Sequence, residues 1–224
     1  ATKSIAERYA KNNGIKRETF ETITSSNFDK ENAIEIAKEY DKMKDDPTDP
    51  EVRKSYEKMV EETLLQANEI LKDGYTIEVN NTEPYSNSED MISDLRDSKN
   101  MRIFSTESGF GDEPITDKQR SENPLLRDSG LKDKNGVALL NNDVFRFVHD
   151  FFGHSELGNS FGAIGEENAW LNHATMYSPL ARRAMTSETR GQNSWVNFSG
   201  ANEKVFEVRD KARRLRAEGK IQRA

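Results

Sequence analysis

The sequence predicts a mainly α-helical, single-domain protein with a minor β element. Three observations carry that prediction. The first third holds two long segments with apolar residues at three- and four-residue spacing, only two short runs favour strands, and the last third is helical again and contains all three histidines of the 224-residue chain. The expected organisation is one domain over 1–224, with a helical hairpin region at 1–74, short strands and a long loop at 75–140, and a helical region at 141–224.

In the first region, FDKENAIEIAKEYDKM places Ala33, Ile34, Ala37 and Tyr40 on one helical face. DDPTDPEV then interrupts. Asp49 followed by Pro50 is a helix opening: a capping side chain, then a residue with no amide proton to leave unpaired. From there Val52, Tyr56, Met59, Val60, Thr63, Leu64, Ala67 and Leu71 recur at helical spacing until Gly74 ends the run. These two helices are expected to pair as an antiparallel hairpin, and nothing in them suggests chemistry. YTIEV (75–79) and MRIFST (101–106) are strand candidates flanking a short helix in SEDMISDLRDS. Residues 107–140 read as a long irregular connection, a feature that in a compact domain points to function. In the last region Asp143 is placed to cap VFRFVHDFF, and Ser178–Pro179 opens LARRAMTSE. ANEKVFEVRDKARRLRAEG forms a final helix with Val205, Phe206 and Val208 inward.

Composition narrows the function classes. Net charge is −7, whereas a nucleic-acid binder needs a basic face to neutralise phosphates. The basic stretch KARRLRAEGKIQRA reads as a solvated helix end, where cations complement the helix dipole. No apolar run approaches the roughly 20 residues of a membrane helix, and the opening ATKSIAERYAKNNG lacks the apolar core of a secretory signal. Cysteine is absent, which excludes disulfides and thiolate metal sites. A cytoplasmic location and a small-molecule partner are expected, with no nucleic acid and no membrane; the oligomeric state is not readable.

The stretch FVHDFFGHSELGNSFGAIGEENAWLNHATMYS carries His149, His154 and His173. With cysteine absent, imidazole and carboxylate are the ligands left for iron, zinc or manganese. His149 and His154 stand five apart, which on a straight α-helix separates them by about 140°. Gly153 gives the helix a place to distort so that both can face one ion. The carboxylate candidates are Glu156, Glu166, Glu167 and Glu188. Glu166, Trp170, His173 and Tyr177 share a helical face, so a contact between Glu166 and His173 is expected. Glu188 sits in AMTSETRGQNSWVNF, where varied polar side chains around Trp195 suggest the wall of a site.

H-D-F-F-G-H, then Ser160–Phe161, a glutamate on the next helix and T-S-E at 186–188 together resemble the catalytic core of the pterin-dependent aromatic amino acid hydroxylases. The resemblance implies a mononuclear non-haem iron(II) held by His149, His154 and Glu188. It implies that Ser160, Phe161 and Glu167 help line a pterin and iron pocket. Through LLRDSG it makes Arg127 an anchor for a substrate carboxylate. The chain departs from the family where Ser155–Glu156 stand in place of the usual proline two positions after the second histidine, and where Asp150 replaces a glutamate. The resemblance covers less than half of the chain, and the N-terminal helices have no counterpart in it.

The leading expectation is therefore a non-haem iron(II) oxygenase or hydroxylase acting on a small or amino-acid-like substrate. Its metal ligands are His149, His154 and Glu188, and one coordination face stays open. Glu166, Glu167, His173 and Arg127 are the catalytic candidates; Trp170, Tyr177 and Arg190 are the candidate contacts to a cofactor such as a pterin. Asp150 or Glu167 could orient the imidazoles, His173 could be a hydrogen-bonded core histidine, and Arg190 could bridge to Glu166 or Glu167. Two alternatives stand beside it: a zinc hydrolase on the same ligands with Glu166 or Glu167 as general base, and a non-enzymatic interaction module with a structural histidine cluster.

Overall fold

In the computed structural model, which describes residues 1–43, 46–110 and 113–199, the capping signals open helices where the sequence places them. Chain order runs through α1 (Thr2–Asn12), α2 (Lys30–Lys42), α3 (Pro50–Leu71), β1 (Thr76–Asn80), α4 (Ser88–Ser98) and β2 (Asn100–Phe104). It continues with α5 (Thr106–Gly109), α6 (Asp117–Glu122), a 3-10 turn (Pro124–Leu126), β3 (Asp128–Lys132) and β4 (Ala138–Leu140). The last third comprises α7 (Asn141–His149), a first π-turn (Asp150–Ser155), α8 (Ala163–Ala174), α9 (Pro179–Thr186), a second π-turn (Ser187–Gly191) and α10 (Gln192–Phe198). The fold is mainly α with a minor β element, as the sequence predicts. The expected final helix over 201–219, with Val205, Phe206 and Val208, lies outside the described residues.

Asp49 caps α3 by accepting from the amides of Glu51 (2.8 Å) and Val52 (3.2 Å), and Gly74 at φ +82° turns the chain out of it. The expected hairpin does not form. α3 packs on α7 and α9, while α2 packs on α10 at the other end of the sequence. Only Ala33 and Ala37 of α2 are buried, so its short apolar stripe suits a small partner helix better than α3. An unanticipated helix, α1, buries Ile5, Ala6, Tyr9 and Ala10 against α3 and the first π-turn. Arg8 fixes it there by bonding Glu69 (2.8 Å) and Asp73 (3.3 Å).

The two strand candidates pair in parallel, from Thr76 with Asn100 to Asn80 with Phe104, with α4 as the crossover. Residues 107–140 are not irregular as expected: they hold a short helix, a 3-10 turn and the antiparallel pair β3–β4. Asp143 does not cap α7 from outside. It sits in the first turn and accepts from Leu140 N (2.9 Å) and from both Thr106 N (2.9 Å) and Thr106 Oγ1 (2.6 Å), pinning α7 to the end of β2.

The core is centred on the histidine segment. Val144, Phe147, Val148, Phe151 and Phe152 are fully buried among Ile5, Tyr9, Met59, Ile70, Met101 and Tyr177. Among the described residues no helix is long and apolar enough to cross a membrane.

Candidate metal centre

His149 ends α7, and the helix continues without a break into the first π-turn, which carries His154. A π-turn bonds each residue to the one five along, so it brings positions five apart onto the same side, where an α-helix would splay them. The two rings accordingly meet at 5.2 Å between centroids, nearly perpendicular. Gly153 makes the closure against α8 possible. A Cβ there would lie 3.2 Å from Ala169 Cβ, Ala169 O and His149 Cε1.

The widened turn needs outside partners for its carbonyls. Asn159 Nδ2 donates to Gly153 O (2.7 Å), and Asn172 Nδ2 donates to Phe152 O (2.6 Å). Arg17 clamps the end of the segment through a two-pronged pair with Glu156 (2.9 and 2.8 Å) and a bond to Asn172 Oδ1 (3.1 Å).

The carboxylate comes from the first turn of α8. Glu166 Oε2 lies 3.6 Å from His149 Nε2 and 3.4 Å from His154 Nε2. Gly165 sets that approach: a Cβ on it would collide with the backbone carbonyl of Ser160. Asn168 straps the N-terminal segment across α8 by bonding both Ile23 N and Ile23 O at 2.8 Å. His154 is almost wholly buried and Glu166 is half-buried, so the group opens towards solvent on the Glu166 side.

Each imidazole is oriented from behind. Asn159 O accepts from His154 Nδ1 (3.0 Å), which turns Nε2 towards Glu166. Behind His149 stands His173, with Nδ1 to Nδ1 at 3.2 Å, and His173 Nε2 in turn meets Gln66 Oε1 at 2.7 Å. Gln66 donates through Nε2 to Met176 O (3.3 Å), so its oxygen must be the acceptor for His173 Nε2–H. Burial, helped by the nearby charges of His149, Arg17 and His154, holds His173 well below the ordinary imidazole range. Neutral His173 then accepts at Nδ1, His149 donates to it, and His149 Nε2 is turned towards Glu166. Hydrogen-bonding partners of this kind fix metal-binding histidines in position and tautomer.

Without a metal, the same contacts favour a protonated His154 facing an ionised Glu166. Burial opposes charge on His154, but contact with Glu166 and the charges of Glu166 and Asp150 outweigh it and push the imidazole up to about 9. Burial likewise opposes charge on Glu166, yet the facing imidazoles pull it down to about 2. Asp150 is raised by burial, against the pull of His154 and His149.

His149, His154 and Glu166 form the group: their three ligand atoms all lie within 4.8 Å of one another. Two donors bound to one ion at roughly 2.1 Å, with an angle of 90–110° between them, would stand about 3.0–3.4 Å apart. The two imidazole–carboxylate separations, 3.6 and 3.4 Å, need only a slight contraction, and the Nε2 atoms and the carboxylate supply the right donor types. The residues present fit a metal ion.

The chain matches no protein-family model, no curated protein and no solved structure.

Glu188, the carboxylate the resemblance put third, is not in the group and requires correction. It lies on the second π-turn, accepting from Tyr56 Oη (2.6 Å) and Gln192 Nε2 (2.7 Å). Glu166 and His173 do not meet as expected, because His149 stands between Glu166 and His173. Glu167 pairs with Arg190 at 2.7 Å, and the Arg190 guanidinium lies over the Trp170 ring at 4.4 Å. Trp170 Nε1 donates to Thr186 Oγ1 (3.0 Å), and the buried Tyr177 hydroxyl meets Thr63 Oγ1 (2.8 Å). The three expected cofactor contacts are thus each engaged within the fold. Arg127 donates to Arg120 O (3.0 Å) and Ser121 O (2.9 Å), tying down the 3-10 turn. Phe161 sets its ring edge-on to His154 at 4.9 Å.

Sequence reasoning missed Gln66. Its signal is a long amide on a face whose neighbours Met59, Thr63, Ala67 and Ile70 are all buried. A polar group in such a place needs a partner.

Proposed function

We propose that this chain is a non-haem iron(II) oxygenase or hydroxylase acting on a small, amino-acid-like molecule through a 2-His-1-carboxylate site of His149, His154 and Glu166. One observation carries the reading: an imidazole nitrogen from each of two histidines and one carboxylate oxygen converge within 4.8 Å. His149, His154 and Glu166 would hold the ion from one side and leave positions open for other ligands. Two neutral imidazoles and one carboxylate leave iron(II) a single net positive charge. When bound, the metal would supply the oxygen-activating chemistry. The chain's own residues hold it, orient it through Asn159 and His173, and keep its inner side dry with Phe145, Phe151 and Phe152.

The zinc-hydrolase reading is weaker because both of its candidate bases are committed: Glu166 as a ligand, and Glu167 to Arg190. The resemblance to the pterin-dependent hydroxylases supports the histidine pair but implies Glu188 of T-S-E as the carboxylate, whereas the proposed ligand is Glu166 in the first turn of α8.

The test is metal analysis of untagged protein together with oxygen uptake. Wild type should carry about one iron per chain, while His149→Ala and Glu166→Gln should lose nearly all of it and Glu188→Gln should keep it. A wild type without stoichiometric metal refutes the reading. Stoichiometric zinc with no oxygen consumption for any aromatic amino acid or related acid replaces it with the hydrolase.

A further inference from the structure

The residue displaced from the metal centre marks a second site. Glu188 faces a cavity of about 800 Å³ enclosed by the end of α2, the start of α3, the 119–126 segment and α9. That volume falls within the roughly 300–1,000 Å³ of small-molecule pockets. Tyr40, Tyr56 and Phe110 supply aromatic wall, and Val52, Met43 and Leu126 supply apolar surface.

The wall is built around the carboxyl. Gly191, at the end of the second π-turn, lets the Tyr40 ring lie directly on the backbone beside Glu188; a Cβ there would sit 2.7 Å from Tyr40 Cδ2. Tyr56 and Gln192 each hold one Glu188 oxygen, which fixes the group and leaves each oxygen further acceptor capacity. No lysine or arginine among the described residues forms an ion pair with it. Burial raises the carboxyl above its ordinary range, with the tyrosine and glutamine bonds pulling the other way. Five carboxylates and two arginines line the cavity, and both arginines are engaged, Arg183 with Glu51 (3.6 Å) and Arg53 with Ser121 O (2.9 Å). The space is negative, aromatic and lacks a free cation among its described lining.

We propose that this cavity binds an organic cation, a primary ammonium or guanidinium on an apolar stem, with Glu188 as its counter-charge and Tyr40 and Tyr56 as ring walls. A half-buried anion and aromatic faces attract the same head group, one by charge and the other through the ring quadrupole. The site stands independent of the metal reading.

The experiment titrates the full chain with phenethylamine, 2-phenylethanol and phenylacetate at pH 7. Binding is followed by ligand-observed NMR and by fluorescence of Trp195, whose ring lies 6.5 Å from Tyr40. The amine should bind at least tenfold more tightly than the alcohol, and the acid weakest of all. Glu188→Gln, which preserves shape and keeps one of the two acceptor oxygens, should abolish the preference for the amine and retain its metal. Equal binding of amine and alcohol overturns the proposal, as does preference for the acid or an unchanged preference in Glu188→Gln. Loss of metal from Glu188→Gln also overturns it, since Glu188 would then be a ligand. The three-compound comparison on wild type decides the matter even if the variant does not fold.

Discussion

Replacing Gln66 with methionine tests the chain of contacts behind the metal centre, because it keeps side-chain length and removes the acceptor. Gln66 and His173 are both fully buried, so no water replaces the lost oxygen. His173 then has two options. It can keep Nε2–H unpaired, at a cost of about 1–3 kcal/mol for a buried unsatisfied donor. Or it can move the proton to Nδ1, where it faces His149 Nδ1 at 3.2 Å and forces the His149 proton round to Nε2. The metal-free protein relaxes the second way. An incoming ion needs His149 Nε2 bare and drives the pair back to the first.

The cost therefore falls on binding. Metal affinity should drop about 10- to 100-fold, the usual range for such orienting partners, which corresponds to about 1.4–2.7 kcal/mol. Metal-free stability should fall as well, by about 1–3 kcal/mol, because the Gln66 Nε2 bond to Met176 O is lost too, a cost that is the same with and without metal. Gln66→Glu keeps an acceptor oxygen and should bind within about threefold of wild type. The assay is competition between the protein and a chromophoric chelator for cobalt(II), alongside urea melts of the metal-free proteins. If Gln66→Met binds cobalt as tightly as wild type, the tautomer argument is wrong.

Three other outcomes follow from the same geometry. Metal must displace the His154 proton, so apparent affinity should rise about tenfold per pH unit between pH 7 and the His154 value of about 9, then level off, as read by the same competition. In the metal-free protein, raised His154 contributes stability fully below its ordinary 6.5 and loses it as pH climbs through about 9. Lowered Glu166 contributes above its ordinary 4.5 and loses it as pH falls through about 2, so the pair stabilises most between 4.5 and 6.5. Glu166→Gln should flatten both limbs in urea melts run from about pH 2 to about pH 9. Gly165→Ala drives a methyl into the Ser160 backbone and should lower stability by about 1–3 kcal/mol in a thermal melt, whereas Gly153→Ala, with contacts of 3.2 Å, should cost less.

Legibility tracked how local each determinant is. Asp49–Pro50, Ser178–Pro179 and Gly74 act within a turn, and their helices begin and end accordingly. The segment 107–140 was opaque because its elements are three to six residues long and depend on bonds from elsewhere in the chain, such as Arg53 to Ser121 O and Asn141 to Pro124 O. The partner of α2 was invisible for the same reason: two buried alanines do not say which helix covers them. At the site, His149, His154 and Gly153 were readable as a unit. The choice of Glu166 over Glu188 was not, because it depends on how α8 is drawn in by Gly165, Asn168 and the N-terminal segment.

The five-residue histidine spacing, an obstacle on an α-helix, is the natural step of a π-turn, and its cost explains the amides around it. A π-turn widens the backbone and leaves carbonyls without their α-helical partners. Phe152 O and Gly153 O are taken by Asn172 and Asn159, and Asn159 also serves His154 through its own carbonyl. Support and ligand orientation are therefore one structure. Asn172→Leu removes the donor to Phe152 O and the acceptor for Arg17 together. An unpaired buried carbonyl costs about 1–3 kcal/mol, and the cheapest relief is for the segment to revert to α-helical bonding, which turns His154 about 140° from His149. Asn172→Leu, although it touches no proposed ligand, should then lose metal as severely as a ligand variant while keeping most of its helical circular dichroism. Tight cobalt binding by Asn172→Leu would mean that the π-turn needs no outside support, and that its widening is intrinsic to H-D-F-F-G-H.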